Sequence, residues 1–235
     1  MAVNGTLSVI RFSGYGLVAV TGAVFSYYAL QNHALDRMEG HEDFWGYLSY
    51  LGFAVTAFGA CGLALVAGAG GVVAAFADVT LLFAIAFVAF AMREVYYNSA
   101  LAPPESERDV SLARLRRIEF GFVVVIGVEW LVVLLLGQSA VVAVVKGVGA
   151  LAFAAYGVAF SERLESLAHG TALDTLRRHL LLVLVCATGI AVGDLASLVG
   201  PATVADPLTY VFLVLLGGLL VPPTIRLQQS VAGLS

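Results

Sequence analysis

The sequence predicts an all-α integral membrane protein: one bundle of seven transmembrane helices over residues 1–235, N-terminus outside and C-terminus cytoplasmic. Three observations predict it. First, 60% of the residues are hydrophobic and only 12% are charged, whereas an ordinary soluble domain is about a quarter charged. So few charges cannot cover a soluble surface, so lipid is expected to cover most of the apolar one. Second, apolar runs of about 20 residues, the length that crosses hydrocarbon as a helix, occur seven times. They are continuous, unlike the alternating segments of a membrane barrel. Third, the basic residues fall on alternate connections between these runs.

Span 1, at 6–30, follows MAVNGTLSVIRF. That start has no basic n-region and no small-residue cleavage site, so span 1 is expected to be retained and not removed as a signal peptide. Spans 2 (44–68) and 3 (72–97) are joined by 69–71. Spans 4 (117–137) and 5 (139–160) turn at Gln138, and spans 6 (177–199) and 7 (206–227) are joined by 200–205. Connections this short make each pair an antiparallel hairpin. On the other side, Pro103-Pro104 ends an extension of span 3. Val110, Leu112, Leu115 and Ile118 then have the spacing of a short interfacial helix running into span 4. Thr171-Ala-Leu-Asp174 has capping-box spacing and starts span 6 before the membrane. Pro222-Pro223 breaks span 7 near its end.

Orientation follows from the arginines. With the N-terminus outside, the cytoplasmic loops and adjoining helix ends hold Arg37, Arg93, Arg108, Arg114, Arg116, Arg117, Arg163, Arg177, Arg178 and Arg226. The outer half keeps only Arg11 and Lys146, as the positive-inside rule requires for short loops. A plasma membrane is the expected location. Lys146 is the only lysine, a bias read as a GC-rich prokaryotic genome. The net charge of -4 gives no basic excess for nucleic acid. Cys61 and Cys186 lie in apolar runs without CxxC spacing, so neither a structural disulfide nor a zinc site is expected. His33, His41, His169 and His179 share the inner side but have no i,i+4 or HExxH spacing, and no metal or other cofactor is expected.

Ionisable residues inside hydrocarbon are costly, and they mark packing pairs or functional sites. Six lie in the outer half: Arg11, Asp78, Glu129, Lys146, Asp194 and Asp206. Glu129 is nine residues before Gln138 and Lys146 eight after it, so a hairpin sets them at one depth. The expectation is an intramembrane ion pair that either locks spans 4 and 5 or serves a ligand or proton site. Arg11, Asp78, Asp194 and Asp206 are the candidate ligand or ion site. One arginine against three aspartates leaves a formal charge of -2, so a shared proton or a bound cation is expected. Asp206, before Pro207, also suits a helix N-cap. The inner half reads as a dry plug with only weak polar groups such as Ser26, Thr56 and Thr188.

At the inner rim, Arg93 and Tyr97 either anchor the helix at the membrane edge or form, with Arg114, Arg116 and Arg117, a docking surface for a cytoplasmic protein. Small residues four apart in span 5, Ala143/Gly147, Ala150/Ala154 and Ala155/Ala159, suit either internal packing or a homo-oligomer face.

Seven spans, an outside N-terminus, Asp78-Val-Thr-Leu-Leu on span 3 and Asp206 on span 7 resemble the microbial rhodopsins. In that family a retinal-bearing lysine follows the span 7 aspartate by four residues; here the position holds Tyr210. Span 6 also lacks the family's retinal-sandwiching aromatics. The resemblance thus implies an opsin-like fold without covalent retinal. Two functions follow: a non-enzymatic sensor or partner module with an outward-facing polar cavity, or a small-solute, ion or proton-coupled transporter using the intramembrane carboxylates. An intramembrane enzyme would need a nucleophile or metal constellation that the sequence does not offer.

Overall fold

The computed structural model describes residues 2–35, 42–98, 102, 110–168 and 172–234. These form eight helices: α1 (Ala2–Leu35), α2 (Glu42–Val66), α3 (Gly71–Asn98), α4 (Leu112–Leu136), α5 (Ala140–Ala168), α6 (Ala172–Val199), α7 (Ala202–Leu219) and α8 (Val221–Leu234). Seven helical stretches are long and apolar enough to cross a membrane, α7 and α8 together making the last, Val204–Gly233. Pro222 and Pro223 have no N–H to return to the carbonyls four residues back, which explains the break at Leu220. Most helices run beyond their apolar cores, because polar ends cost nothing where they leave the apolar layer.

The helices pack around α3. Helix α1 lies along α2, and α2 along α3; α3 also meets α4, α5 and α6. Helix α5 lies along α6, α6 meets α7, and α7 and α8 close the ring against α1. Helix α3 can lie close to α2, α4, α5 and α6 because a third of its buried positions are alanine: Ala75, Ala77, Ala84, Ala86, Ala89 and Ala91. Such residues let helices approach closely where no hydrophobic force draws them together. The α1–α2 seam is the tightest case: a Cβ on Gly59 would lie 2.5 Å from the backbone nitrogen of Ala19. The outer surface is apolar, with Phe12, Val20, Phe120, Leu135 and Leu136 all exposed. A soluble monomer does not carry an apolar belt of this extent.

The structure bears on three expectations here. Asp206 is not an N-cap: α7 starts after Pro201, so Asp206 and Pro207 lie within the helix and Asp206 is exposed. The helix expected to run into span 4 is present from Leu112, where α4 begins with Ser111 as its N-cap residue and continues unbroken into the span. In α5, Gly147 packs against Leu195 of α6 and Ala150 is fully buried, so that part of the small-residue stripe serves internal packing. Pro103, Pro104, Thr171, His41 and His169 lie outside the described residues.

Candidate functional site

The two ends of α3 each carry an ionic cluster. At the N-terminal end of the bundle, Lys146 of α5 is 3% exposed and donates to Asp78 Oδ1 of α3 at 2.6 Å. It also donates to Asp194 Oδ2 of α6. Gln138 Nε2 donates to the other oxygen of Asp78 at 2.8 Å. Gln138 reaches inward because Gly137 ends α4 with φ +66°, a left-handed turn that a residue with a Cβ adopts only under strain. Around these groups lies a cavity of about 310 Å³, lined also by Arg11, Tyr15, Phe58, Leu65, Leu81, Ile190 and Thr209. Asp194, with its side chain 54% exposed, stands at the mouth. The Arg11 guanidinium lies over the Tyr210 ring, 5.9 Å from its centroid.

The sequence brought Arg11, Asp78 and Asp194 to one site, and the structure gathers all three around this cavity. Asp206 is exposed and does not line it. The expected pairing of Glu129 with Lys146 is corrected. Glu129 is fully buried and lies within the fields of Asp78 and Lys146, yet among the described residues neither carboxylate oxygen has a hydrogen-bond partner. The depth argument was sound but incomplete. Helix α5 packs more extensively on α3 and α6 than on α4, so their aspartates reach the ammonium first. The charge arithmetic changes with it: among the groups that line the cavity, Arg11 and Lys146 balance Asp78 and Asp194, while Glu129 lies close by but off that lining.

At the opposite end, Arg93 is 2% exposed and holds Glu119 of α4 through a two-pronged contact, Nε to Oε1 at 2.7 Å and Nη2 to Oε2 at 2.9 Å. Its Nη1 donates to Glu94 at 2.5 Å, and Nη2 to the Tyr47 hydroxyl at 3.3 Å. The Tyr156 hydroxyl donates to Glu119 at 3.0 Å, and Asn98 donates to Glu94. Tyr97, 2% exposed, donates to the carbonyl of Val110 at 2.6 Å. Arg93 and Tyr97 are therefore not a docking surface: both are buried and tie α2, α3, α4 and α5 together. Arg114, Arg116 and Arg117 are exposed. The apolar plug ends at this network, since Glu94 and Glu119 lie within the helices at the inner end and are buried.

Between the two clusters, α3 residues 79–92 supply roughly 21 Å of helix at 1.5 Å per residue. Their one hydroxyl, Thr80, bonds back to the carbonyl of Phe76 at 2.8 Å. Ser26, Thr56 and Thr188 likewise direct their hydroxyls to backbone carbonyls. Among the described residues, no group of three or more His, Cys, Asp or Glu is arranged to hold a metal ion. The residues that sequence reasoning missed are Gln138 as a partner of Asp78, Tyr15 on the cavity wall, and Glu94, Glu119, Tyr47 and Tyr156 at the far end. The signal for Glu119 was available: a carboxylate two residues inside an apolar span needs a cation, and Arg93 ends the preceding span. No protein-family model, no curated protein and no solved structure matches this chain.

Proposed function

We propose that the chain is a non-enzymatic membrane sensor or partner module, inserted in a prokaryotic plasma membrane with its N-terminal end outside. The cavity around Lys146 receives the signal. The exposed arginines Arg114, Arg116 and Arg117 face a cytoplasmic protein, and the fold is opsin-like without covalent retinal. The observation that carries this reading is the contrast between the ends: an open cavity lined by buried charges on one side, and a network closed on itself on the other, with an apolar stretch between. A carrier with a midplane site needs polar groups on both sides of it.

Reconstitution tests it. In proteoliposomes under an imposed proton or ion gradient, flux should not exceed that of protein-free vesicles. Changing pH or adding ligand on the cavity side should alter the fluorescence of Trp45, at the far end of α2, and Asp78→Asn should remove that change. One observation favours the carrier reading instead: Glu129 is a fully buried carboxyl with no hydrogen-bond partner among the described residues, placed near Asp78 and Lys146. Flux abolished by Asp78→Asn or Glu129→Gln would install that reading in place of the sensor. Added all-trans retinal should give no red-shifted, hydroxylamine-sensitive absorption band; such a band lost in Lys146→Ala would overturn the retinal-free assignment.

A further inference from the structure

The cavity's polar groups divide into those satisfied by each other and those left over. Both oxygens of Asp78 are occupied, one by Lys146 and one by Gln138. Asp194 uses only Oδ2 for Lys146, which leaves Oδ1 at the open mouth. An ammonium has three donors, and Lys146 uses two. Among the described residues, Arg11 has no carboxylate partner; it has only the face of Tyr210. The Tyr15 hydroxyl makes no hydrogen bond among them either, and it lies within the fields of Arg11, Tyr210, Asp194 and Lys146. The leftovers are therefore of both signs: a guanidinium with its planar fork of donors, and a carboxylate oxygen. Phe58, Leu65, Leu81 and Ile190 supply an apolar wall beside them.

We propose that this cavity binds a small zwitterion with a short apolar body, its anionic pole on Arg11 and its cationic pole on Asp194. The class follows from charge as well as from the free groups. Among the charged groups that line the cavity, Arg11 and Lys146 balance Asp78 and Asp194, so a simple anion or cation would add one uncompensated charge to a half-closed lining, which is costly. A zwitterion adds no net charge and satisfies both leftover groups. A fork of guanidinium donors matches a carboxylate or a phosphate oxygen pair. Tyr15, on the same cavity wall, offers a hydroxyl to either pole. The proposal rests on the sensor reading in taking this cavity as the ligand site.

The two poles occur both in a free amino acid and in a zwitterionic lipid headgroup, and the experiment separates these sources. The full-length protein in maltoside detergent is titrated by calorimetry with L-leucine, with 4-methylpentanoate, which lacks the ammonium, with isopentylamine, which lacks the carboxylate, and with glycerophosphocholine. At least one zwitterion should bind about tenfold or more tightly than either single-charge analogue, the loss expected for one missing charge-assisted contact. Leucine binding assigns the site to free amino acids, and glycerophosphocholine binding alone assigns it to headgroups. Arg11→Gln and Asp194→Asn should each lower that affinity about tenfold, and Arg11→Lys should restore part of it. Equal binding of 4-methylpentanoate, or no zwitterion binding up to roughly 10 mM, overturns the proposal. If no zwitterion binds while Asp78→Asn still abolishes the Trp45 response to pH, the ligand class falls and the sensor reading stands.

Discussion

The two ends of α3 carry similar side chains in opposite circumstances. At one end Arg93 is walled in, its prongs fixed on Glu119 and Glu94, with Tyr47 and Tyr156 completing the network. At the other end Lys146 is just as buried, but its partner Asp194 is half-exposed and Arg11 has no carboxylate among the described residues. The first arrangement leaves little for a ligand to bind. The second leaves donors and an acceptor facing a cavity. A buried charge therefore says little about function by itself; what decides is whether its hydrogen-bonding capacity is used up inside the protein. By that criterion the Arg93 end holds four helices in register, and the Lys146 end is where an outside molecule can change the energy balance.

The comparison breaks most visibly at Arg93. Arg93→Met strands Glu119 and Glu94 in a buried setting, which costs about 3–5 kcal/mol. Thermal unfolding in detergent should show the largest loss of any variant here. Arg93→Lys should recover only part of it, because a point charge cannot serve Glu119 with two parallel donors. A small loss in Arg93→Met would mean that water reaches this end, and the distinction between the ends would fail.

Lys146→Met comes next. It strands Asp78, but Gln138 still donates to one oxygen and the cavity is open at Asp194, so a loss of about 2–3 kcal/mol is expected. Adding Asp78→Asn to the same chain removes the stranded charge and should recover most of the loss, a positive coupling of about 1–3 kcal/mol. If the double variant is merely additive, Lys146 and Asp78 are not the pair described here. Gln138→Ala removes one neutral donor from Asp78 and should cost about 1 kcal/mol, read in the same unfolding assay.

Much of the fold was legible in the sequence, because a run of 20 apolar residues admits few structures. Each of the seven expected spans overlaps a helical stretch, with ends displaced by a few residues where polar turns extend the helix. The site was half legible. Arg11, Asp78 and Asp194 stood out because charge inside an apolar run is expensive wherever it faces. Which charge meets which was not legible, since that depends on lateral packing. Hairpin depth put Glu129 level with Lys146, but depth cannot tell that α5 leans on α3 and α6 more than on α4. Arg93 misled for a related reason. An arginine with tyrosines at the end of a span looks alike in sequence whether it points to lipid headgroups or inward to Glu119. Gln138 was hidden by its role: as the midpoint of a turn it read as a connection, and only the left-handed Gly137 shows why its amide reaches inward.

The smallest stability effect should come from Arg11, and it is the sharpest test because Arg93 is the same residue type. Arg11 is half-buried near the start of α1, it lies over the face of Tyr210, and among the described residues no carboxylate pairs with it. An exposed or half-exposed cation over an aromatic ring contributes about 0.5–1 kcal/mol at most, and changes away from buried networks usually stay within about 0.5 kcal/mol. Arg11→Gln should therefore unfold at nearly the wild-type temperature while the cavity loses a cation that has no carboxylate partner among the described residues. Arg93→Met and Arg11→Gln then form opposite corners of one experiment, the first lowering stability and the second lowering only ligand response. A large stability loss in Arg11→Gln would show that Arg11 is a structural partner at the cavity end. In that case both ends of α3 would be closed networks, and the cavity would have no cation left for a ligand.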